Sequence, residues 1–215
     1  MQTDRIHRLL PLTGVIFAAV MLAALYLTRG EADAGDSPRV IFDYWHDHRG
    51  VQLVAGLVLA PYGAALVLLF AAALRNTIRA HETEEALYSA VVLAGGVIAA
   101  VGLILTGVLD AAVAASADRG ARDTVYTLAQ LQSYDWVPWV VGFGVMLLAA
   151  GIGGVRAIAM PRLLSWSAIV LGVLFLSPAG FFAAFALPFW TTTTGIVLYR
   201  RNSGAASASM AGATA

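Results

Sequence analysis

The sequence predicts an all-α integral membrane protein, a polytopic helical bundle with six transmembrane helices. Sixty per cent of its 215 residues are hydrophobic and only 12% are charged, against about 25% charged residues in soluble domains. Long uncharged stretches alternate with short polar ones, and arginines are unevenly distributed between alternate connections. We expect one membrane domain over residues 1–203 and a small, polar, disordered tail over 204–215.

Six uncharged stretches are the predicted spans: residues 9–27, 51–74, 86–109, 136–155, 163–177 and 181–199. The second stretch would be about 36 Å long as a helix, enough to cross a hydrocarbon core of about 30 Å. The first stretch follows Arg5 and Arg8, as the apolar part of a signal peptide would. Its 19 residues exceed the roughly 7–15 of a signal peptide's apolar region, so we expect a retained span.

The last two spans come from one uncharged run, which extends from Leu163 to Tyr199. As a single helix it would be about 55 Å long, too long for one crossing. Ser177, Pro178, Ala179 and Gly180 lie near its middle and are typical of a turn. The run therefore predicts a helical hairpin.

Two polar connections, residues 30–49 and 110–135, predict short interfacial helices on the outer face. Val40, Tyr44 and His48 recur at helical spacing in the first connection. Asp123 is placed to cap a helix in the second connection. We expect helices over residues 39–48 and 124–134 to form a cap on the outer side of the bundle.

Stripes of small residues predict that spans two and three pack closely, because small side chains let helix backbones approach each other. The members of these stripes are Gly56, Ala60 and Gly63 in span two, and Gly95, Ala99, Gly102 and Thr106 in span three. The alternative is that the stripes arise by chance from the abundance of alanine and glycine.

The arginines predict the orientation. With six crossings, eight arginines fall on one side of the membrane: Arg5, Arg8, Arg75, Arg79, Arg156, Arg162, Arg200 and Arg201. Five fall on the other: Arg29, Arg39, Arg49, Arg119 and Arg122. Because basic residues are enriched on the cytoplasmic side, we expect both termini in the cytoplasm of a bacterial cell, with the chain in its inner membrane.

Several chemistries are not indicated. The chain has no cysteine and a formal net charge of zero, so thiolate chemistry is excluded and nucleic acid is not an expected partner. No phosphate-binding loop, nucleophile elbow or zinc-protease motif occurs. No Asp, Glu, Arg or His lies inside the six predicted spans, which argues against proton relays there.

One cluster has the residue types of a metal site. Asp43, His46 and Asp47 follow the i, i+3, i+4 spacing that places side chains on one side of a helix. Carboxylate and imidazole groups bind Zn²⁺ or Mn²⁺, and Asp110 or Asp135 would supply a further ligand. The alternative is a solvated acidic rim. No other cofactor is predicted.

Aromatic and hydroxyl side chains near the predicted membrane surfaces are candidates for facing a ligand or lipid. They are Tyr44, Trp45, Trp136, Trp139, Phe185, Trp190, Thr191 and Thr194. Tryptophans concentrate at membrane interfaces, and threonine hydroxyls can line a polar path. The alternative is that these aromatics pack between helices and that the hydroxyls bond back to their own helix.

The C-terminal third resembles a known pattern. It contains Pro161-Arg162-Leu163-Leu164-Ser165-Trp166, then Gly172 and Pro178, then Leu187-Pro188-Phe189-Trp190 and Leu198-Tyr199-Arg200-Arg201. Residues 136–201 are similar to uncharacterised multi-pass membrane proteins of high-GC bacteria, grouped as a domain of unknown function. The resemblance implies a helical bundle and no activity.

These observations favour a non-enzymatic membrane protein. We expect it to contact the lipid bilayer and to bind a lipid-like or apolar molecule, another copy of itself or another membrane protein. Two alternatives remain open. One is a small permease for an uncharged solute, suggested by prolines in or beside the spans. The other is a metal-dependent extracytoplasmic membrane enzyme at Asp43, His46 and Asp47.

Overall fold

The computed structural model of the chain describes residues 9–33, 35–82 and 86–212, in which every regular element is a helix. A 3-10 turn, Leu10–Leu12, leads into α1 (Thr13–Leu27). There follow α2 (Pro38–Asp47), α3 (Arg49–Val54), a π-helical segment (Ala55–Leu59), α4 (Ala60–Arg79), α5 (Leu87–Asp118), α6 (Arg122–Gln132), α7 (Trp136–Arg156), α8 (Arg162–Phe175) and α9 (Gly180–Gly212). The predicted all-α class is confirmed.

Five helices in this part of the chain are long and apolar enough to cross a membrane: Leu10–Leu27, Arg49–Arg79, Leu87–Asp118, Arg122–Arg156 and Phe182–Ser203. Each overlaps one of the six predicted spans, and all except the first extend past a predicted end. The predicted span over 163–177 corresponds to α8, which has 14 residues and is therefore only about 21 Å long. Many apolar side chains on the outside of the bundle are exposed, which is compatible with contact with a lipid bilayer.

The chain reverses between α8 and α9, at the predicted turn. Ser177 Oγ accepts a hydrogen bond from the backbone N–H of Ala179 in this turn, at 3.2 Å. Farther along, the guanidinium of Arg201 donates to the carbonyl of Ala159 at 2.9 Å. The end of the apolar part of α9 therefore lies beside the residues that precede α8, as in a helical hairpin.

The C-terminal tail differs from the prediction. The backbone of α9 continues as a helix to Gly212, although the sequence predicted a disordered tail from residue 204. Residues 205–212 are rich in alanine, the strongest helix former, and contain no proline. Residues 213–215 lie outside the described part of the chain.

Close helix packing occurs between spans two and three, but the glycines responsible are partly different from those predicted. Gly56 faces Gly107 of α5, and a methyl group on either would collide with the carbonyl oxygen of the other. Gly96, about three helical turns before Gly107, lies against Ala71 of α4.

The predicted stripe of α5 faces elsewhere. A methyl group at Gly95 would meet the backbone of Met146, and one at Gly102 the backbone of Trp139, both in α7. Ala99 lies against Gly142 of the same helix. Helix α5 therefore uses one small-residue face for α4 and a second for α7, with which it packs most extensively.

The connection predicted over 110–135 is mostly helical. Helix α5 continues to Asp118, beyond the predicted span end at residue 109, and α6 follows. Helices α2 and α6 pack on the last turns of α5 and enclose a small core, with Trp45, Val113 and Val125 at its centre. Arg49 forms an ion pair with Asp118 there. We call α2, α6 and these last turns of α5 the cap.

Candidate functional site

A cavity of about 440 Å³ opens beside the cap, between α1, the π-helical segment, α5, α7 and the start of α9. Its volume lies within the range of about 300–1,000 Å³ that is typical of small-molecule sites. Pro61 has no N–H to donate to the residue 57 carbonyl, and the π-helical segment ends two residues before it. Ala55 and Leu59 of that segment contribute to the cavity wall.

Most of the wall is apolar and aromatic. Phe17 of α1 and Phe143 of α7 lie with ring centroids 5.7 Å apart. Trp139 meets Phe143 edge to face, with centroids 6.3 Å apart. Trp136 and Phe185 complete the aromatic part of the wall. These rings offer a large surface for an apolar chain and, being packed on each other, are held in place before any ligand binds.

The end of the cavity next to the cap is acidic. Gln132, the last residue of α6, donates from Nε2 to Glu31 Oε1 at 3.0 Å and to Asp110 Oδ1 at 3.3 Å. Asp110 lies in the C-terminal part of α5, and Asp135 is the residue that precedes α7. Asp110 and Asp135 are 8% and 9% exposed. We call Glu31, Asp110 and Asp135 the acidic end.

Asp135 has an unused acceptor. It occupies the N-cap position of α7, yet its side chain makes no capping hydrogen bond. Its Oδ2 atom is buried and has no hydrogen-bond partner in the described part of the protein. Such atoms are rare in proteins, and water or a ligand commonly satisfies them. The positive end of the α7 dipole favours negative charge at this position.

Glu31 is the carboxyl group that the connection between α1 and α2 contributes to the acidic end. Burial, and next the charge of Asp135, raise its pKa from 4.5 to about 7. The hydrogen bond from Gln132 acts in the opposite direction. The Glu31 carboxyl therefore changes charge near neutral pH, at the wall of the cavity.

Three of the predicted ligand-facing residues line the cavity: Trp136, Trp139 and Phe185. Tyr44 and Trp45 belong to the cap instead. Trp45 is buried in the cap core. The Tyr44 hydroxyl accepts a hydrogen bond from Gln52 Nε2 at 2.8 Å, and its ring stacks on His48. Burial raises the pKa of Tyr44.

Trp190, Thr191 and Thr194 are buried in the bundle core. The indole N–H of Trp190 donates to the Leu164 carbonyl at 3.3 Å. The Thr191 hydroxyl donates to the Pro188 carbonyl of its own helix at 3.2 Å. The contacts of Trp190 and Thr191 are those of helix packing, the alternative weighed from the sequence.

The predicted metal ligands lie on the exposed side of α2. Asp43 pairs with Arg39 at 3.6 Å, and His46 Nδ1 lies 3.4 Å from Asp47 Oδ1. Within residues 9–33, 35–82 and 86–212, no three His, Asp or Glu side chains are arranged to hold a metal ion. Asp110 and Asp135, considered above as further ligands, belong to the acidic end of the cavity.

Comparisons with protein-family models, curated proteins and solved structures find no match to this chain. What the chain binds is therefore inferred from the chemistry of the cavity.

Proposed function

We propose that this chain is a non-enzymatic multi-pass protein of a bacterial inner membrane, and that it binds a lipid-like molecule in the cavity between α1, α5 and α7. The observation that carries the proposal is the division of the cavity into a long aromatic wall and a polar end. An amphiphile has the same two parts. Apolar surface of the molecule would be buried against the aromatic rings, and each buried CH₂ group contributes about 0.8 kcal/mol.

The proposal includes six crossings with both termini in the cytoplasm. Helix α8 is short. The hydrogen bond between Arg201 and the Ala159 carbonyl nevertheless supports an arrangement in which the end of α9 returns to the side of the membrane where α8 starts. Because α9 is long enough to cross the bilayer, this return supports a crossing by α8 and the turn after it in the other direction. Arginine asymmetry supports the same orientation. The acidic end then lies near the outer surface.

Native mass spectrometry of the protein, released from a mild detergent, tests the binding proposal. We expect a co-purified amphiphile on the wild-type chain and its loss from Gly63→Leu. Gly63 lines the cavity, and a methyl group placed there would lie no closer than 3.9 Å to Leu103, Phe17 or Val20. The β-carbon of a leucine at this position therefore meets only side chains at ordinary contact distance, and we expect the rest of the side chain to occupy the cavity.

Gly50→Leu is the matched control. It introduces the same side chain into α3, where nothing lies within 4 Å of the added carbon, and it is outside the cavity. The control should retain the amphiphile. Equal occupancy in Gly63→Leu and wild type, or a wild-type chain without any bound amphiphile, would contradict the proposal.

A further inference from the structure

Among the described residues that line the cavity, no cation balances the acidic end. The wall contains Glu31, Asp33, Asp110 and Asp135, and its lining residues include no Arg or His; the chain has no lysine. The arginines of neighbouring segments have other contacts. Arg49 pairs with Asp118, Arg29 lies 3.9 Å over the Tyr26 ring, and Arg122 lies 5.1 Å over the Phe42 ring.

The acidic end has fewer donors than carboxylate oxygens. The Thr106 hydroxyl, which lines the cavity, lies beside Asp135 and donates to its backbone carbonyl at 3.5 Å. Both N–H groups of the Gln132 amide are used, one on Glu31 and one on Asp110. Neither is left for Asp135, whose Oδ2 is buried and unpartnered although the residue lines the cavity. A buried carboxylate oxygen without a donor is costly. The structure thus combines a negative field with an acceptor that needs an N–H or O–H group.

We propose that the cavity selects an amphiphile whose headgroup is a protonated primary amine, with the ammonium donating to Asp135 Oδ2 in the field of Glu31 and Asp110. This inference rests on the proposed function and specifies its ligand. An ammonium carries a positive charge and three N–H donors. A quaternary ammonium has the charge without a donor, and an alcohol has a donor without the charge. Carboxylate headgroups, and phosphate headgroups that carry no amine, would be repelled.

The apolar chain of the amine would follow the aromatic wall. Trp136 adjoins Asp135 in the sequence, and Trp139 and Phe143 follow on α7 at helical spacing. All three line the cavity, and Phe185 lines it from α9. A chain anchored at Asp135 by its ammonium would therefore run along α7 over successive rings.

The pKa of Glu31, about 7 because of burial and the Asp135 charge, agrees with this arrangement. A proton and an ammonium both neutralise negative charge at the acidic end. A bound ammonium should lower the Glu31 pKa, since a nearby positive charge stabilises a carboxylate.

Calorimetric titration of the purified full chain in detergent at pH 8 tests the inference. The probes are dodecylamine, dodecyltrimethylammonium, dodecanol and dodecanoate, which differ in the headgroup. We expect dodecylamine to bind at least about tenfold more tightly than the other three, because a charged hydrogen bond is worth about 1.5–3 kcal/mol.

Variants connect this preference to the acidic end. Asp135→Asn should weaken dodecylamine binding by about tenfold or more and leave dodecanol binding unchanged. Glu31→Gln, in the connection between α1 and α2, should weaken dodecylamine binding by a similar factor. This second variant keeps the test decisive if Asp135→Asn fails to fold. Asp123→Asn removes an exposed carboxylate that does not line the cavity, and it should behave as wild type.

A dilauroyl phosphatidylethanolamine titration distinguishes two sources of the primary amine. Binding comparable to that of dodecylamine identifies an aminolipid headgroup, whereas binding of dodecylamine alone identifies a free amphiphilic amine. Both results support the inference. Equal binding of dodecanol and dodecylamine, or unchanged amine binding in both cavity variants, would overturn it and leave the proposed function standing. No binding of any amphiphile would overturn both.

Discussion

Glu31 and Asp110 accept hydrogen bonds from the same nitrogen, Nε2 of Gln132, at 3.0 and 3.3 Å. One carboxyl group comes from the connection after α1, the other from α5, and the amide from the end of α6. The amide joins three distant segments at the acidic end of the cavity. It also separates two carboxyl groups that would otherwise repel each other.

Replacing this amide should loosen the cap. Gln132→Leu removes both donors and leaves two partly buried carboxyl groups without them, so we expect a loss of about 1–3 kcal/mol in the free energy of unfolding. Thermal unfolding in detergent measures the effect. Leu131→Ala, at the exposed neighbouring position, is the control and should cost less than about 0.5 kcal/mol. Equal losses in the two variants would contradict a bridging role for the amide.

Stability should fall as the pH rises through the range set by Glu31. Its pKa is raised from 4.5 to about 7 in the folded chain, so the folded state binds this proton more tightly than the unfolded state. The associated stability is therefore complete below pH 4.5 and is lost progressively up to about pH 7. The charged or titratable groups that face Glu31 are Asp33, Asp110, Asp135 and Tyr44.

Glu31→Gln provides the test of this slope, because it keeps a polar side chain and removes the titration. Melting temperatures measured between pH 4.5 and pH 8 should decline less in Glu31→Gln than in wild type. Asp123→Asn, with an exposed carboxylate removed, should retain the wild-type decline. If the wild-type chain became more stable over this range and Glu31→Gln did not, burial of Glu31 would be contradicted.

The contact between Gly56 and Gly107 should tolerate no side chain. A methyl group at Gly107 would overlap the Gly56 carbonyl oxygen, so Gly107→Ala must push α5 and the π-helical segment apart. We expect a cost of about 1–3 kcal/mol, the usual range for overpacking. Gly50→Ala is the control, since that position is open and lies in a helix where alanine is favoured by about 1 kcal/mol. Thermal unfolding should therefore shift in opposite directions in the two variants.

Local signals in the sequence predicted the helices well and their contacts less well. Uncharged runs locate α1, α4, α5, α7 and α9, because crossing the hydrocarbon core requires them. The same criterion ended span three at residue 109, where Asp110 interrupts the apolar run. The following residues, Ala111 to Asp118, are nonetheless helical and rich in alanine. Asp110 was thus assigned to a connection although it belongs to a helix.

The acidic end was only partly visible in the sequence. The predicted outer face includes Asp110 and Asp135, which makes them candidate ligands. Neither Glu31 nor Gln132 has a periodic or motif signal. Their contact joins residues far apart in the chain, and only the packing of α6 near α1 determines it. For the aromatic residues the sequence predicts too many candidates, because Trp139 and Trp190 look alike in it. Only helix packing shows that Trp139 lies in the cavity wall and that Trp190 lies in the core.

The orientation of the hairpin can be decided by labelling, because the chain contains no cysteine and any introduced thiol is unique. We expect Asp123→Cys, in the cap, to react with a membrane-impermeant maleimide in intact cells. Asn76→Cys, near the end of α4, and Asn202→Cys, near the end of the apolar part of α9, should react only after the membrane is opened. All three positions are exposed. If α8 does not cross the membrane, Asn202→Cys should instead be labelled from outside, like Asp123→Cys. That result would contradict the hydrogen bond between Arg201 and the Ala159 carbonyl, because this bond requires α9 to end on the side of the membrane where α8 begins.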